Sequence, residues 1–379
     1  MLQTAFKFIK YDRAKSIGVV VGILISIFLI GQQIGILGFL TGLMGGIVDN
    51  SRKDIGEIWV VDNITQNANQ LAKLDARLVN EIRSIEGVQN TFAVVASGCT
   101  VKFENGKTAA VTLIGSEAPL FIGGPNKDKI NKGNITDLLK ERAVAAEFFD
   151  EKTFENSVDL GKRIEINGKE AFIQLQTKNA RGFGGSFFFT TLSKARYYGN
   201  FAEDKVSAIA VQVKQGYNRA AVVETINNTI YGVKAWDAEE FKKSTISFLT
   251  FSSNIGTSIG SLVIFAIISG FFIIGLTLYS SALDRIKDYG TLKAIGATNS
   301  YVRNLILLQS FIFALLGFAL AYSLLIGFKN GVQSAGLVIN YSPVEVAGLF
   351  LITVFISVGG SFFAIKKINS VEPASVFRG

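Results

Sequence analysis

Histidine is absent from the 379 residues, and there is a single cysteine. Without imidazole the chain cannot run His-based acid–base catalysis or build the commonest zinc sites. The lone Cys99 makes no intramolecular disulfide and supplies no metal-binding spacing, so any folded part is held by its own core. Its expected state is that of a small, partly buried apolar residue. Charge is also sparse, at 18% of residues, and nearly missing from four long stretches. The formal net charge of +8 comes with no Lys/Arg run and no basic patch interleaved with aromatics, which argues against nucleic acid.

The four charge-poor stretches are hydrophobic, at 17–40, 255–283, 305–328 and 344–365. Each is long enough, as a helix of about 20 residues, to cross a bilayer core of about 30 Å. One comes first, a long and mostly polar stretch follows, and three more come in quick succession. The expected fold is an α-helical membrane protein with four transmembrane helices, one plus three. A large mixed α/β extracytoplasmic domain lies between the first and second. The boundaries read as an amphipathic helix at 1–16, the first span and stalk at 17–48, and the domain at 49–237. A stalk and second span follow at 238–283, a connection at 284–304 and the third span at 305–328. A short loop at 329–343, the fourth span at 344–365 and a tail at 366–379 complete the chain.

Basic residues set the orientation. Lys7, Lys10, Arg13 and Lys15 precede the first span, whereas Arg52 and Lys53 after it are offset by Asp49 and Asp54. Arg285, Lys287, Lys293 and Arg303 lie between the second and third spans, and Lys366, Lys367 and Arg378 follow the fourth. The 329–343 turn has one basic residue, Lys329. By the positive-inside rule both termini and the 284–304 connection are cytoplasmic and the large domain is outside. The first apolar stretch is too long for a cleaved signal peptide and lacks a clear A-x-A site, so it reads as an uncleaved anchor. Before it, Leu2, Phe6, Ile9 and Tyr11 beside a Lys-bearing face suit a helix lying in the membrane interface. Gln32 and Gln33 are amides in hydrocarbon and read as helix-packing groups.

In the large domain, periodicity predicts a helix over 74–86, strands over 88–103 and 109–114, and a hairpin at Asn105-Gly106. A second hairpin is predicted around Asn167-Gly168, with strands at 163–166 and 171–175. A strand at 208–213, a helix at 218–228 and a strand at 233–236 follow. Helix, Gly-Val and strand occur in that order twice, at Gly87-Val88 and Gly232-Val233, which reads as a weak internal repeat. Gly106-Lys107-Thr108 looks like the end of a phosphate-binding loop, but the first Gly of that motif would fall at Val101, and a hairpin explains it better. The stretch Arg181–Phe189 couples glycines to a Phe run. It reads equally as an apolar tip for a partner or lipid-like substrate and as a turn entering a buried strand.

The connection Asp284–Thr298 is a charged helix end, a break expected at Gly290, and a short amphipathic turn led by Leu292 and Ile295 that closes at Gly296. A half-apolar hook of this kind seats in a groove on another protein, or rests as an ordinary loop against headgroups.

Asp288-Tyr289-Gly290 followed by Leu292-Lys293-Ala294-Ile295-Gly296-Ala297 resembles the cytoplasmic connection of the MacB/FtsX-like ABC transporter permeases, where an acidic residue and Gly precede L-[RK]-A-x-G-A. Asp and Tyr stand where many members have Glu and Ile, a variation similar to the DevC-like exporter branch. The ending Glu372-Pro373-Ala374-Ser375-Val376-Phe377-Arg378 is similar to the family's acidic-Pro-Ala ending, with Ser and Val replacing a commoner acidic-Ala pair. The one-plus-three layout matches too, whereas the large domain matches only in position and α/β character.

The resemblance implies a non-catalytic permease subunit of an ABC exporter, with no cofactor on this chain and ATP-Mg on a partner ATPase. The ATPase-coupling residues it implies are Arg285, Asp288, Tyr289, Gly290, Leu292, Lys293, Ala294, Ile295, Gly296 and Ala297, with Pro373 and Arg378 as a C-terminal contact. It implies a second permease copy, a homodimer, and a periplasmic membrane-fusion adaptor with an outer-membrane duct. The location it implies is the bacterial cytoplasmic (inner) membrane. Phe183, Phe187 and Phe188 are the candidate partner or substrate contacts, for an amphiphilic or lipid-like cargo. Two other readings stand beside this one: a mechanotransmitting regulator of an external enzyme that moves no substrate, and a membrane-anchored receptor. A secondary transporter is disfavoured, because ionisable residues within the spans are missing.

Overall fold

The computed structural model describes residues 2–11, 13–252 and 254–369. Its helices are α1 (Leu2–Tyr11), α2 (Arg13–Met44), α3 (Gly46–Asn50), α4 (Leu78–Arg83), α5 (Glu151–Phe154) and α6 (Leu192–Gly199). They continue with α7 (Arg219–Thr229), α8 (Ala238–Ser252), α9 (Ile255–Asp284), α10 (Ile286–Ala294), α11 (Asn299–Gln333) and α12 (Pro343–Asn369). The strands are β1 (Ile58–Asp62), β2 (Leu74–Asp75), β3 (Val88–Phe103), β4 (Thr108–Ser116), β5 (Ile130–Lys132) and β6 (Ala143–Glu147). After them come β7 (Arg163–Ile166), β8 (Lys169–Thr177), β9 (Arg181–Gly182), β10 (Gly185–Thr191), β11 (Lys205–Val206), β12 (Ala208–Val213) and β13 (Val233–Asp237). The chain forms two compact units, Met1–Gly38 with Gly256–Gly379, and Phe39–Ile255.

Among the described residues, four helices are long and apolar enough to span a bilayer: α2, α9, α11 and α12, of 32, 30, 35 and 27 residues. The chain is a multi-pass membrane protein, with the mixed α/β domain between its first and second spans. Between apolar helices in lipid, close packing replaces the hydrophobic effect, so small residues gather at the contacts. Gly317 of α11 leaves room for Ile23 of α2, whose methyl would lie 2.4 Å from an added Cβ. Gly360 of α12 approaches the backbone of Gly275 in α9, where a Cβ would come within 3.0 Å of the amide nitrogen. Ser357 Oγ donates to the Ser310 carbonyl at 2.7 Å, joining α12 to α11.

The domain begins as a βαββαβ arrangement. Strands β13, β1, β12 and β3 lie in that order and pair antiparallel throughout. The two halves, β1–α4–β3 and β12–α7–β13, give the Gly-Val repeat its structural form, the split-βαβ pattern. Alternation along β1 sends Ile58 and Val60 into the cluster that holds Val79, Ile82 and Ile226 of α4 and α7. Trp59 and Val61 face the opposite cluster, with Phe241 of α8. The helix predicted over 74–86 is shorter. Asp75 Oδ1 accepts the Arg77 amide at 2.9 Å, an Asx turn that competes with helix, and Leu74–Asp75 pairs with β11 instead.

Between β3 and β12 the chain builds a second body. The pairings β3–β4, β4–β10, β10–β6, β6–β8, β8–β7 and β7–β3 return to their starting strand, closing a small barrel. Closure removes the exposed edges that such strands would present. Its interior holds Val101, Phe103, Leu113, Val144, Ile173 and Phe188. Cys99 lies in the same cluster, 4% exposed, and burial pushes its thiol pKa up. Asn167 and Gly168, at φ 48° and 76°, join β7 to β8 by a two-residue turn with both central φ positive, the type I′ pattern.

Candidate functional site

The segment between α9 and α11 is built as one stiff hook. α10 runs unbroken through Gly290, so the break expected there does not occur; Gly290 is buried on the inner face. The turn is made six residues later. Gly296 has φ +104°, its amide donates to the Lys293 carbonyl at 3.1 Å, and the Ala297 amide donates to the Leu292 carbonyl at 2.9 Å. These two bonds form a Schellman cap, which needs a residue free to adopt positive φ. Thr298 then caps α11, its hydroxyl accepting the Tyr301 amide at 3.2 Å. Asp288 in the first turn and Lys293 in the last sit on the ends of α10 that favour their charges.

The candidate coupling residues divide between two faces. Arg285 and Tyr289 are buried at 7% and 3% exposure, and Leu292 and Ala297 pack against the membrane unit's core. The Tyr289 ring contacts Phe8 of α1 at 5.5 Å between centroids. The Arg285 guanidinium lies over Phe8 and Tyr11 at 4.9 and 5.3 Å. Burial pushes the Tyr289 phenol up to about 12, so it stays neutral. Lys293 Nζ donates to the Ile368 carbonyl at 2.7 Å, tying α10 to the end of α12, and desolvation lowers its pKa. Asp288, Ala294, Ile295 and Gly296 face outward, Ile295 with 76% of its surface exposed.

Leu292 and Ile295 therefore do different work: the first holds the hook and the second projects from it. Lys287 and Thr291 share the outward face, and sequence reasoning passed over both. Thr291 stands three or four residues from Asp288, Ala294 and Ile295, and Lys287 four from Thr291, and that spacing was the available signal. Phe8 and Gln309, which pack on the inner face, carried no local signal. Pro373 and Arg378 lie outside the described residues.

The candidate contacts in the large domain are placed differently from the exposed-tip reading. Phe187 and Phe188 are 4% and 0% exposed, because β10 is an inner strand between β4 and β6. Phe188 fills the barrel and Phe187 the opposite cluster. Neither forms an apolar tip; Phe183 is half-buried, and Gly184 is the exposed residue of the turn. Phe187 does line a recess of about 260 Å³ with Asn69, Gln70, Leu71 and Thr112.

Residues 260–373 match the FtsX-like permease C-terminal family, an interval that contains the whole hook. An uncharacterized ABC transporter permease of Methanocaldococcus jannaschii is 22% identical over 99% of this chain and 96% of its own. An uncharacterized ABC transporter permease of Mycobacterium tuberculosis is 25% identical over 76% of this chain and 74% of its own. Among solved structures, the periplasmic region of MacB from Actinobacillus actinomycetemcomitans aligns with TM-score 0.39 and 12% identity, covering 51% of this chain and 94% of that one. The extracellular domain of the noncanonic ABC-type transporter YknZ from Gram-positive bacteria aligns at 0.35 and 16%, covering 48% and 98%. Residues 260–373 therefore carry an FtsX-like permease C-terminal domain, and over nearly its whole length the chain is similar to an ABC transporter permease.

Proposed function

We propose that this permease is the membrane subunit of an exporter in which a separate ATPase docks on the outward face of α10 and drives the large domain. The carrying observation is the division of the hook. Its inner face is locked by Tyr289, Leu292 and the Schellman cap, while Ile295 stands 76% exposed at its tip. A rigid support under an apolar projection suits transmission of force from a partner's groove. An ABC permease works with an ATPase on a partner chain, and ATP-Mg belongs there. In this reading two copies pair in the inner membrane, with both termini and α10 cytoplasmic, as the basic flanks favour. Motion passes along the continuous helix α2 and through α8 into the domain. The recess beside Phe187, which mixes amides with apolar walls, is the proposed place for an amphiphilic cargo, delivered to an adaptor and an outer-membrane duct.

The test is Ile295→Asp in the full-length permease co-expressed with its ATPase. Burying an isoleucine at an interface contributes about 1.5–3 kcal/mol, so affinity for the ATPase should drop by roughly 10- to 100-fold while the permease itself stays folded. Unchanged co-purification and unchanged stimulated ATP hydrolysis would sink the docking assignment. In reconstituted vesicles, ATP hydrolysis without ATP-dependent extraction of any amphiphile would point to a regulator that moves no substrate.

A further inference from the structure

Below the hook, the membrane unit holds a cavity lined by residues of α1, α2, α9, α11 and α12 and by Arg285 and Tyr289, with about 20 Å³ of room for the centre of a water-sized atom. That is space for about one such atom. Two of its lining side chains are more than nine-tenths buried: Arg285, whose Nη2 has no hydrogen-bond partner among the described residues, and Gln309, whose Nε2 lies beside the Tyr289 phenol without a well-aligned bond. The nearest acid in sequence, Asp284, is engaged by Lys15. The Arg285 guanidinium lies over Phe8 and Tyr11, but those rings leave its Nη2 donor unpaired, so the site calls for an acceptor atom with negative charge.

A second feature shares its wall. An apolar groove of about 410 Å³ includes Ile9, Ser16 and Phe313, as the cavity does, and continues along Val20, Leu316 and Leu320 of α2 and α11. Lys10 and Arg13 also line the groove, and their places at the end of α1 and the start of α2 put them at its headgroup end. Hydrocarbon walls with cations at one end match a lipid tail beneath an acidic headgroup.

We propose that cavity and groove form one binding site for an anionic glycerophospholipid. An acyl chain lies in the groove, and one phosphate oxygen accepts from Arg285 and Gln309, while Lys10 and Arg13 face the remaining headgroup charge. The single-atom room of the cavity admits an oxygen and leaves the rest of the phosphate outside. Arg285 is the residue from which α10 starts, so a seated lipid stabilises the root of the hook. This site requires only that the chain spans a membrane, and ATPase docking at Ile295 is read by a separate assay.

The experiment uses the delipidated full chain in a chloride-free gluconate buffer. Binding of dioleoyl-phosphatidylglycerol and dioleoyl-phosphatidylcholine is measured by native mass spectrometry, with thermal stability as a second readout. Phosphatidylglycerol should bind at least about tenfold more tightly. Arg285→Gln should remove most of that preference, leaving the part due to Lys10 and Arg13, and Leu316→Trp should weaken both lipids. Leu316 is 49% exposed, so its variant keeps the test alive if Arg285→Gln does not fold. Equal binding of the two lipids, or a preference undiminished by Arg285→Gln, overturns the proposal. So does stabilisation by chloride alone that matches the lipid's, which would make this a free-anion site.

Discussion

Replacing Asp150 with Asn isolates one buried proton. Asp150 is 7% exposed. Its Oδ1 takes the Ser186 hydroxyl, and its Oδ2 has no partner among the described residues. Burial first, and then the nearby Glu147 charge, push its pKa from an ordinary 3.8 up to about 7, against Ser186 and Arg181, which pull it down. The unfolded chain releases this proton near pH 4, the folded domain only near 7. Between those values the folded state binds more protons, so stability is fully present at the acid end and declines as pH rises to about 7. At about 1.36 kcal/mol per pKa unit the ceiling is roughly 4 kcal/mol. Relaxation and water entry around the carboxyl reduce this, and we expect about 2 kcal/mol, or roughly 4–8 °C for a domain of this size. The chain's two tryptophans, Trp59 and Trp236, lie in β1 and β13, so their fluorescence follows this domain alone during melting of the full chain. Asp150→Asn should melt close to wild type at pH 4 and above it by that margin at pH 8. A gap between the two proteins that is the same at both pH values would refute the reasoning.

Two further substitutions probe the membrane unit. At Gly296 an added side chain meets nothing within 4 Å among the described residues, so Gly296→Val is penalised through the backbone, by about 1–2 kcal/mol for a left-handed conformation. Hydrogen exchange at the Gly296 and Ala297 amides should quicken by roughly tenfold, and unaltered protection would show that the cap does not hold the hook. Gly360→Val forces a Cβ against the backbone of α9 and should destabilise the chain by about 1–3 kcal/mol. Gly348→Val, on the same helix with nothing within 4 Å, serves as control; equal circular-dichroism melting of the two would remove the close-packing argument.

Local chemistry made much of this architecture readable. β3 occupies the predicted 88–103, because the segment is rich in Val, Thr and Phe, which favour strands, and the turn at Asn105-Gly106 ends it. The Asn167-Gly168 turn was legible because only certain residues accept positive φ twice in succession. Closure of the barrel was hidden, since it depends on β7 meeting β3 more than sixty residues earlier in sequence, and no local pattern carries that pairing. The Phe run showed the same limit: whether Phe187 and Phe188 were covered depended on the strands either side of β10. At the hook, Leu292 and Ile295 are equally apolar, and only the packing of α10 separates the one that anchors from the one that projects. The orphan donors of Arg285 and Gln309 come from different helices and become a pair only in space.

β3 also has a mechanical meaning. Its sixteen residues make a beam about 50 Å long, roughly three times an ordinary strand. Val88–Val94 is bonded into the βαββαβ sheet by β12, and Val94–Phe103 into the barrel by β4 and β7. A hinge between the two bodies would have to shear a continuous hydrogen-bonded ribbon. In the coupling proposed above, the barrel would act as a stiff outrigger: a small tilt imposed at the near end would become a wide sweep at the far end.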